Sequence, residues 1–136
     1  MHDADRVVVD ASVVVALVAS SAQGVSELAR RLARAELYAP SILPAEVDSA
    51  LRGLELGGKL TPTQARIARR HAHRLPIELW PWEVLGERAW EMRHNLTTYD
   101  AGYVALAERI DACLLTGDAR IASAVGMHCP VDVVRI

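Results

Sequence analysis

Phenylalanine is absent from these 136 residues, and three Trp with three Tyr are the only aromatic side chains. Since 51% of the residues are hydrophobic, the core must be built from Ala, Val and Leu, small side chains that suit helices packed closely on a sheet. A dominant sign of charge is also missing. The 15 Lys and Arg against 17 Asp and Glu leave a net charge of −2, which excludes a histone-like binder or an acidic tail and confines any nucleic-acid surface to a local patch. Lys59 is the only lysine. Cys113 and Cys129 lack C-x-x-C spacing and a partnering His pair, which argues against a zinc site or a disulfide scaffold and for reduced, structural thiols. The longest apolar run, Val13 to Ala19, is too short for a bilayer, and Met1-His2-Asp3-Ala4-Asp5 has no basic leader region. Both features predict a cytoplasmic protein without membrane association. There is no internal repeat or low-complexity segment, and neither G-x-x-x-x-G-K-[ST] nor G-x-G-x-x-G occurs, which excludes nucleotide loops of those kinds. The length predicts a single domain over residues 1–136, able to bury roughly two thirds of its unfolded surface.

What is present begins with Arg6-Val7-Val8-Val9-Asp10. A β-branched run without period-2 alternation suits a strand covered on both faces, as in a parallel sheet. Helices follow over Ser12 to Ala19 and Gly24 to Arg34, the second with Val25, Leu28, Ala29 and Leu32 on one face. Glu36 to Ala39 is a second strand. Pro44 opens a helix to Leu56, with Glu46 in its first turn and Val47, Ala50, Leu51 and Leu54 inward, ended by Gly57-Gly58. Thr61-Pro62 starts another helix to about Leu75, with Ala65, Ala68, Ala72 and Leu75 inward. On its neighbouring face Arg66, Arg69, Arg70, His73 and Arg74 recur at helical spacing, a surface for phosphate or an acidic partner that a plain solvated helix explains as well. Ile77 to Trp80 is a third strand, whose flanking prolines allow an edge strand or a loop. The helix from Trp82 to about His94 places Trp82, Leu85, Ala89 and Met92 inward, with Gly86 a weak point and Trp90 off the stripe, at an interface, in a base-stacking platform or in partial packing. Thr98 caps an apolar helix to Ala107 that has Asp100 in its first turn. A strand from Ala112 to Leu115, Thr116-Gly117-Asp118, a helix from Ala119 to Val125 and a strand from Val131 to Val134 complete the chain. Strands alternating with helices predict an α/β sandwich around a mainly parallel sheet of about five strands.

Asp10, Glu46, Asp100 and Asp118 each fall at a strand end or in a first helical turn, and in a parallel layer those places lie on one side of the sheet. Each alone also reads as a helix cap or a dipole partner. Together they need compensation. At an effective dielectric near 20, two unit charges about 4 Å apart repel by on the order of 4 kcal/mol, so such a cluster requires protons or a cation. Oxygen ligands without Cys or His select Mg²⁺ or Mn²⁺, and a site of that kind suits phosphodiester hydrolysis by activated water. An aspartyl-phosphate phosphatase would want a second Asp where the chain has Ser12, and a receiver-type phosphoacceptor would want a lysine on a late strand. His71 and His73, two apart on a helix, point in different directions and make no zinc pair.

Val7-Val8-Val9-Asp10-Ala11-Ser12, Pro44-Ala45-Glu46-Val47, Thr98-Tyr99-Asp100-Ala101 running on to Ala107, and Leu115-Thr116-Gly117-Asp118 resemble the motifs of PIN-domain ribonucleases, most of all the VapC toxins of VapBC toxin–antitoxin systems. The resemblance spans the chain. It implies a PIN-like three-layer sandwich and a Mg²⁺-dependent endoribonuclease in which Mn²⁺ can substitute, with Asp10, Glu46, Asp100 and Asp118 catalytic. Asp10 and Asp100 match the usual metal ligands, Asp118 and Glu46 would complete the site directly or through water, and Ser12 and Thr116 match hydroxyl positions that brace it. It further implies an RNA substrate, a homodimer and a cognate VapB-like antitoxin, and leaves Arg66, Arg69, Arg70, Arg74 and Trp90 as contacts for RNA or that partner. Ser49 departs from the pattern, which often has Asn there. Two other readings stand beside it: a PIN-fold nuclease of RNA or DNA processing that has no antitoxin, and a non-catalytic interaction module whose acids only cap helices.

Overall fold

A computed structural model describes residues 5–20 and 25–135; the readings of Met1 to Ala4 and of Gly24 as a helix start lie outside the described residues. The elements run β1 (Asp5–Val9), α1 (Ala11–Ala19), α2 (Val25–Ala33), β2 (Ala35–Pro40), α3 (Leu43–Leu56), α4 (Pro62–His73), β3 (Ile77–Trp80), α5 (Trp82–Glu91), α6 (Thr98–Arg109), β4 (Cys113–Thr116), α7 (Ala119–Ala122) and β5 (Val131–Val133). All five strands pair in parallel in the order β3-β2-β1-β4-β5. The chain therefore winds from β1 outward to β3, then returns across the sheet to β4 on the other flank of β1. The gap between β1 and β4 is a topological switch point, the place in such sheets where a crevice opens beyond the carboxyl ends of the strands.

Both sheet faces are covered. Val7, Val8 and Val9 are all buried, although consecutive strand residues point to opposite sides. Right-handed crossovers place the helices that precede β3 on one face and those that follow it on the other. Contacts agree, since α1, α3 and α4 pack on one another while α5 packs on α6. Helix α6, which runs beside β1, β2 and β4, is buried continuously from Ala101 to Ala107. The α4 start is fixed by a capping box: Thr61 Oγ1 accepts from the Gln64 amide and the Gln64 side chain accepts from the Thr61 amide. Among the described residues no helix is long and apolar enough to cross a membrane.

Several expectations are corrected by packing. Ala29 and Ala50 are exposed, because larger side chains fill the contact with the core: Leu28 and Leu32 on α2, and Leu43, Val47 and Leu51 on α3. The cap of α6 is Thr97, whose Oγ1 accepts from the Asp100 amide, so Thr98 is already helical. Helix α5 ends at Glu91, and α7 ends at Ala122, where the Ser123 hydroxyl donates back to the Arg120 carbonyl. β3 is an edge strand, which its flanking prolines tolerate. Trp82 is 37% exposed; it lies not in the core but across Gly86 and Gly102, where added Cβ atoms would stand 2.8 and 2.6 Å from its ring.

Candidate functional site

β1 and β4 end side by side, and their ends are tied together by hydroxyl groups. Asp10 follows β1, is 8% exposed and caps α1 through Oδ1, which accepts from the Val13 amide at 3.2 Å. Ser12 Oγ donates to the same Oδ1 at 2.5 Å and accepts from the Gly117 amide at 2.9 Å. Thr116, wholly buried at the end of β4, donates to Asp10 Oδ2 and accepts from the Asp118 amide at 3.0 Å. Asp10 is thus oriented through both oxygens, and the loop that carries Asp118 hangs on the same two hydroxyls.

Glu46 and Asp100 come from the first turns of α3 and α6. Tyr103, one turn beyond Asp100 on α6, donates its hydroxyl to Glu46 Oε1 at 2.7 Å. Burial pushes the Glu46 carboxyl above its ordinary pKa, the Tyr103 bond partly counters this, and the charges of Asp100 and Asp10 raise it further. Burial likewise raises Asp100; its bond with Thr97 opposes the shift, Asp118 and Asp10 add to it, and Arg120 opposes it. Tyr103 is pushed strongly upward by burial and by the neighbouring Glu46, which keeps its hydroxyl a donor. Asp118 differs from the others. Arg120 grips it with Nε at 3.0 Å and Nη2 at 2.9 Å, its backbone amide also donates, and together they hold the carboxyl below its usual range.

The four acids predicted from sequence therefore share one rim, with Asp10 and Asp100 at its centre, each felt by more than one acidic neighbour. Neither central acid has an ion pair with a described residue. In this placement no three His, Cys, Asp or Glu side chains among the described residues are gathered closely enough to hold a metal ion, in keeping with the Asp118 carboxylate being turned to Arg120. The donors facing the crevice are nevertheless all hard carboxylate oxygens, the chemistry that suits Mg²⁺ or Mn²⁺.

The basic residues of α4 take no part in this rim. Arg69 Nε and His73 Nε2 meet Asp48 Oδ1 on α3 at 3.0 and 2.9 Å. Arg66, Arg70 and Arg74 stay exposed and form no ion pair with a described residue. Trp90 is 65% exposed, with the Arg93 guanidinium 4.5 Å from its ring centroid. Sequence reasoning missed Tyr103 and Arg120 as members of the site. The signals were spacing: Tyr103 is three residues past Asp100 on one helix, and Arg120 is two past the cap Asp118.

Comparison with known proteins agrees with this architecture. A family model described as PIN domain matches residues 7–126. Ribonuclease VapC1 of Mycobacterium tuberculosis is 41% identical over 132 residues, 96% of this chain and 99% of that protein. Ribonuclease VapC9 of the same organism is 39% identical over 129 residues, covering 94% and 98%. Among solved structures, VapBC2 from Rickettsia felis, crystallised with a DNA fragment from its promoter, superposes with a TM-score of 0.65 over 94% of this chain and 98% of that one. At 12% identity that likeness is one of fold.

Proposed function

The chain belongs to the PIN-domain family and to its VapC branch, and from that premise we propose that it is a divalent-metal-dependent endoribonuclease, the toxin of a toxin–antitoxin pair, acting as a single domain. The observation that carries this reading is the convergence of Asp10, Glu46, Asp100 and Asp118 at the β1/β4 switch point, where burial and mutual repulsion raise two of them and, among the described residues, only Asp118 has an ion-pair partner. Asp10, Asp100 and Asp118 would hold Mg²⁺, with Mn²⁺ able to replace it. When bound, such an ion supplies an activated water and charge stabilisation for phosphodiester hydrolysis.

The residues of the chain have separable tasks. Ser12 and Thr116 lock both oxygens of Asp10, so its orientation does not have to be selected on binding. Tyr103 fixes Glu46 through Oε1 and leaves Oε2 without a hydrogen bond to a described residue, so that this oxygen can accept a proton from water. Arg120 shields Asp118 until that carboxylate is recruited, and its guanidinium is then released at the mouth, where a substrate phosphate arrives. The partners we assign are RNA, a cognate VapB-like antitoxin and a second copy of the chain, all in the cytoplasm. Exposed Leu56, Ile67 and Leu79 supply apolar surface for association.

The test is RNA cleavage by the purified chain with and without Mg²⁺, beside Asp10→Asn. Asparagine caps a helix about as well as aspartate, so α1 and a cooperative melt should be kept, the melting temperature falling only by what the loss of the Thr116 bond costs. Cleavage should fall by more than the roughly 10- to 100-fold that loss of an outer partner of a metal site costs. Metal-independent cleavage, or full activity in Asp10→Asn, would remove the proposal. Co-purification with the product of an adjacent small gene tests the antitoxin.

A further inference from the structure

Trp82 is seated more firmly than an exposed side chain requires. Its indole crosses α5 and α6 where each helix carries a glycine, and a Cβ at Gly86 would come within 2.8 Å of Nε1 and one at Gly102 within 2.6 Å of Cζ3. Glycine inside a helix is destabilising relative to alanine. Yet the ring accommodated this way stays 37% exposed, so core burial is not what the two glycines secure.

The exposed part of the ring lines a cavity of about 290 Å³ with Ser41, Ile42, Thr98 and Tyr99. The cavity is walled by the starts of α3 and α6, the two helices that carry Glu46 and Asp100. Tyr99, 56% exposed, directly precedes Asp100, and Ile42 is the cap of α3, whose first turn bears Glu46. The Ser41 and Thr98 hydroxyls form no hydrogen bond with a described residue, which leaves a donor and acceptor pair beside two aromatic rings. Aromatic faces with free hydroxyls are the chemistry of an unstacked base. RNA is read in single-stranded segments whose bases splay out, stack on aromatic side chains and hydrogen-bond along their edges.

We propose that the Trp82–Tyr99 cavity is a subsite for one unstacked nucleobase of single-stranded RNA, flanking the phosphodiester cut at the acidic rim, and that these two residues set nucleotide preference. This inference rests on the ribonuclease reading above. A rigid indole needs little ordering when a base arrives, and Tyr99 reaches the same cavity from the turn that positions Asp100, so base recognition and phosphate placement share one piece of backbone.

The experiment compares the parent chain with Trp82→Leu, Trp82→Phe and Tyr99→Ala, using short RNA oligonucleotides randomised around the cut. The expected result is a KM raised roughly ten-fold or more in Trp82→Leu and Tyr99→Ala, with kcat little changed, a flattened nucleotide preference at one position, and partial rescue in Trp82→Phe. Tyr99 is 56% exposed and outside the core, so Tyr99→Ala remains decisive if Trp82→Leu folds poorly, with an unchanged kcat showing that Asp100 has kept its place. A second arm needs no metal: a six-nucleotide RNA should quench tryptophan emission in the parent, and less so when its flanking base is abasic. A parent that cuts RNA while the variants keep its KM and preference overturns the inference and leaves the nuclease reading standing. A parent that cuts no RNA with Mg²⁺ or Mn²⁺ removes both. Variants that cut normally but lose the antitoxin assign the cavity to a protein partner and overturn the inference as well.

Discussion

Glu108 is held by three donors: Arg88 Nε at 2.7 Å, Arg88 Nη2 at 3.1 Å and the His128 amide at 2.6 Å. Burial alone would raise its pKa, but the guanidinium and the amide more than reverse that and hold it below the ordinary 4.5. A carboxylate depressed in the fold stabilises the protein above its ordinary pKa, and that contribution is lost as pH falls through the depressed value. Glu108→Gln should therefore cost about 1.5–3 kcal/mol at neutral pH, with the difference from wild type shrinking once pH drops below 4.5. Urea titrations at a series of pH values measure this, and a pH-independent difference would contradict it. At this scale the four acids were legible because each stands next to a strand end or helix start that the sequence marks. Tyr103 and Arg120 were not. Their roles depend on the start of α6 coming within a hydrogen bond of the start of α3 and on a side chain folding back over its own cap, and neither is a periodic property.

Elements were read well where apolar spacing is regular and poorly where one large residue rearranges its surroundings. The stripe of α5 counted Trp82 as core, and only the packing of α5 on α6 reveals that Gly86 and Gly102 together make room for its ring. Gly86, an apparent weak point in the sequence, is a steric requirement in the fold. Gly102→Ala should displace the indole while gaining helix propensity, so the net change in stability should stay within about 1 kcal/mol. The emission of Trp82, read in a background where Trp80 and Trp90 are phenylalanine, should shift to longer wavelength. An unshifted spectrum would mean that the ring does not depend on the bare backbone beneath it. The misplaced Ala29 and Ala50 have a simpler cause, since alanine is apolar enough to complete a stripe yet small enough to leave exposed.

For the whole molecule, alternation of strands and helices was sufficient to predict an α/β sandwich around a mainly parallel sheet, and the family resemblance added its three layers, but strand order leaves no mark in a single sequence. The return from β3 to β4 is what sets the carboxyl ends of β1 and β4 side by side. On the proposed function, a rim of crowded carboxylates is a built-in instability that a bound cation would relieve. Mg²⁺ or Mn²⁺ should raise the melting temperature, by RT ln(1 + [L]/Kd) in free energy, and Asp100→Asn should abolish most of the rise. Calorimetry with and without metal checks this; an equal rise in the variant would place the ion elsewhere.

The Thr116–Asp10 hydrogen bond joins residues 106 apart in sequence. During synthesis the first strand leaves the ribosome long before its partner exists, and pairing at such separation is a late event in folding. The acidic rim is consequently assembled only when nearly the whole polypeptide has been made. Fragments from interrupted translation carry Asp10 and Glu46 but no β4 to brace them, so a chain made by halves never holds the four acids together.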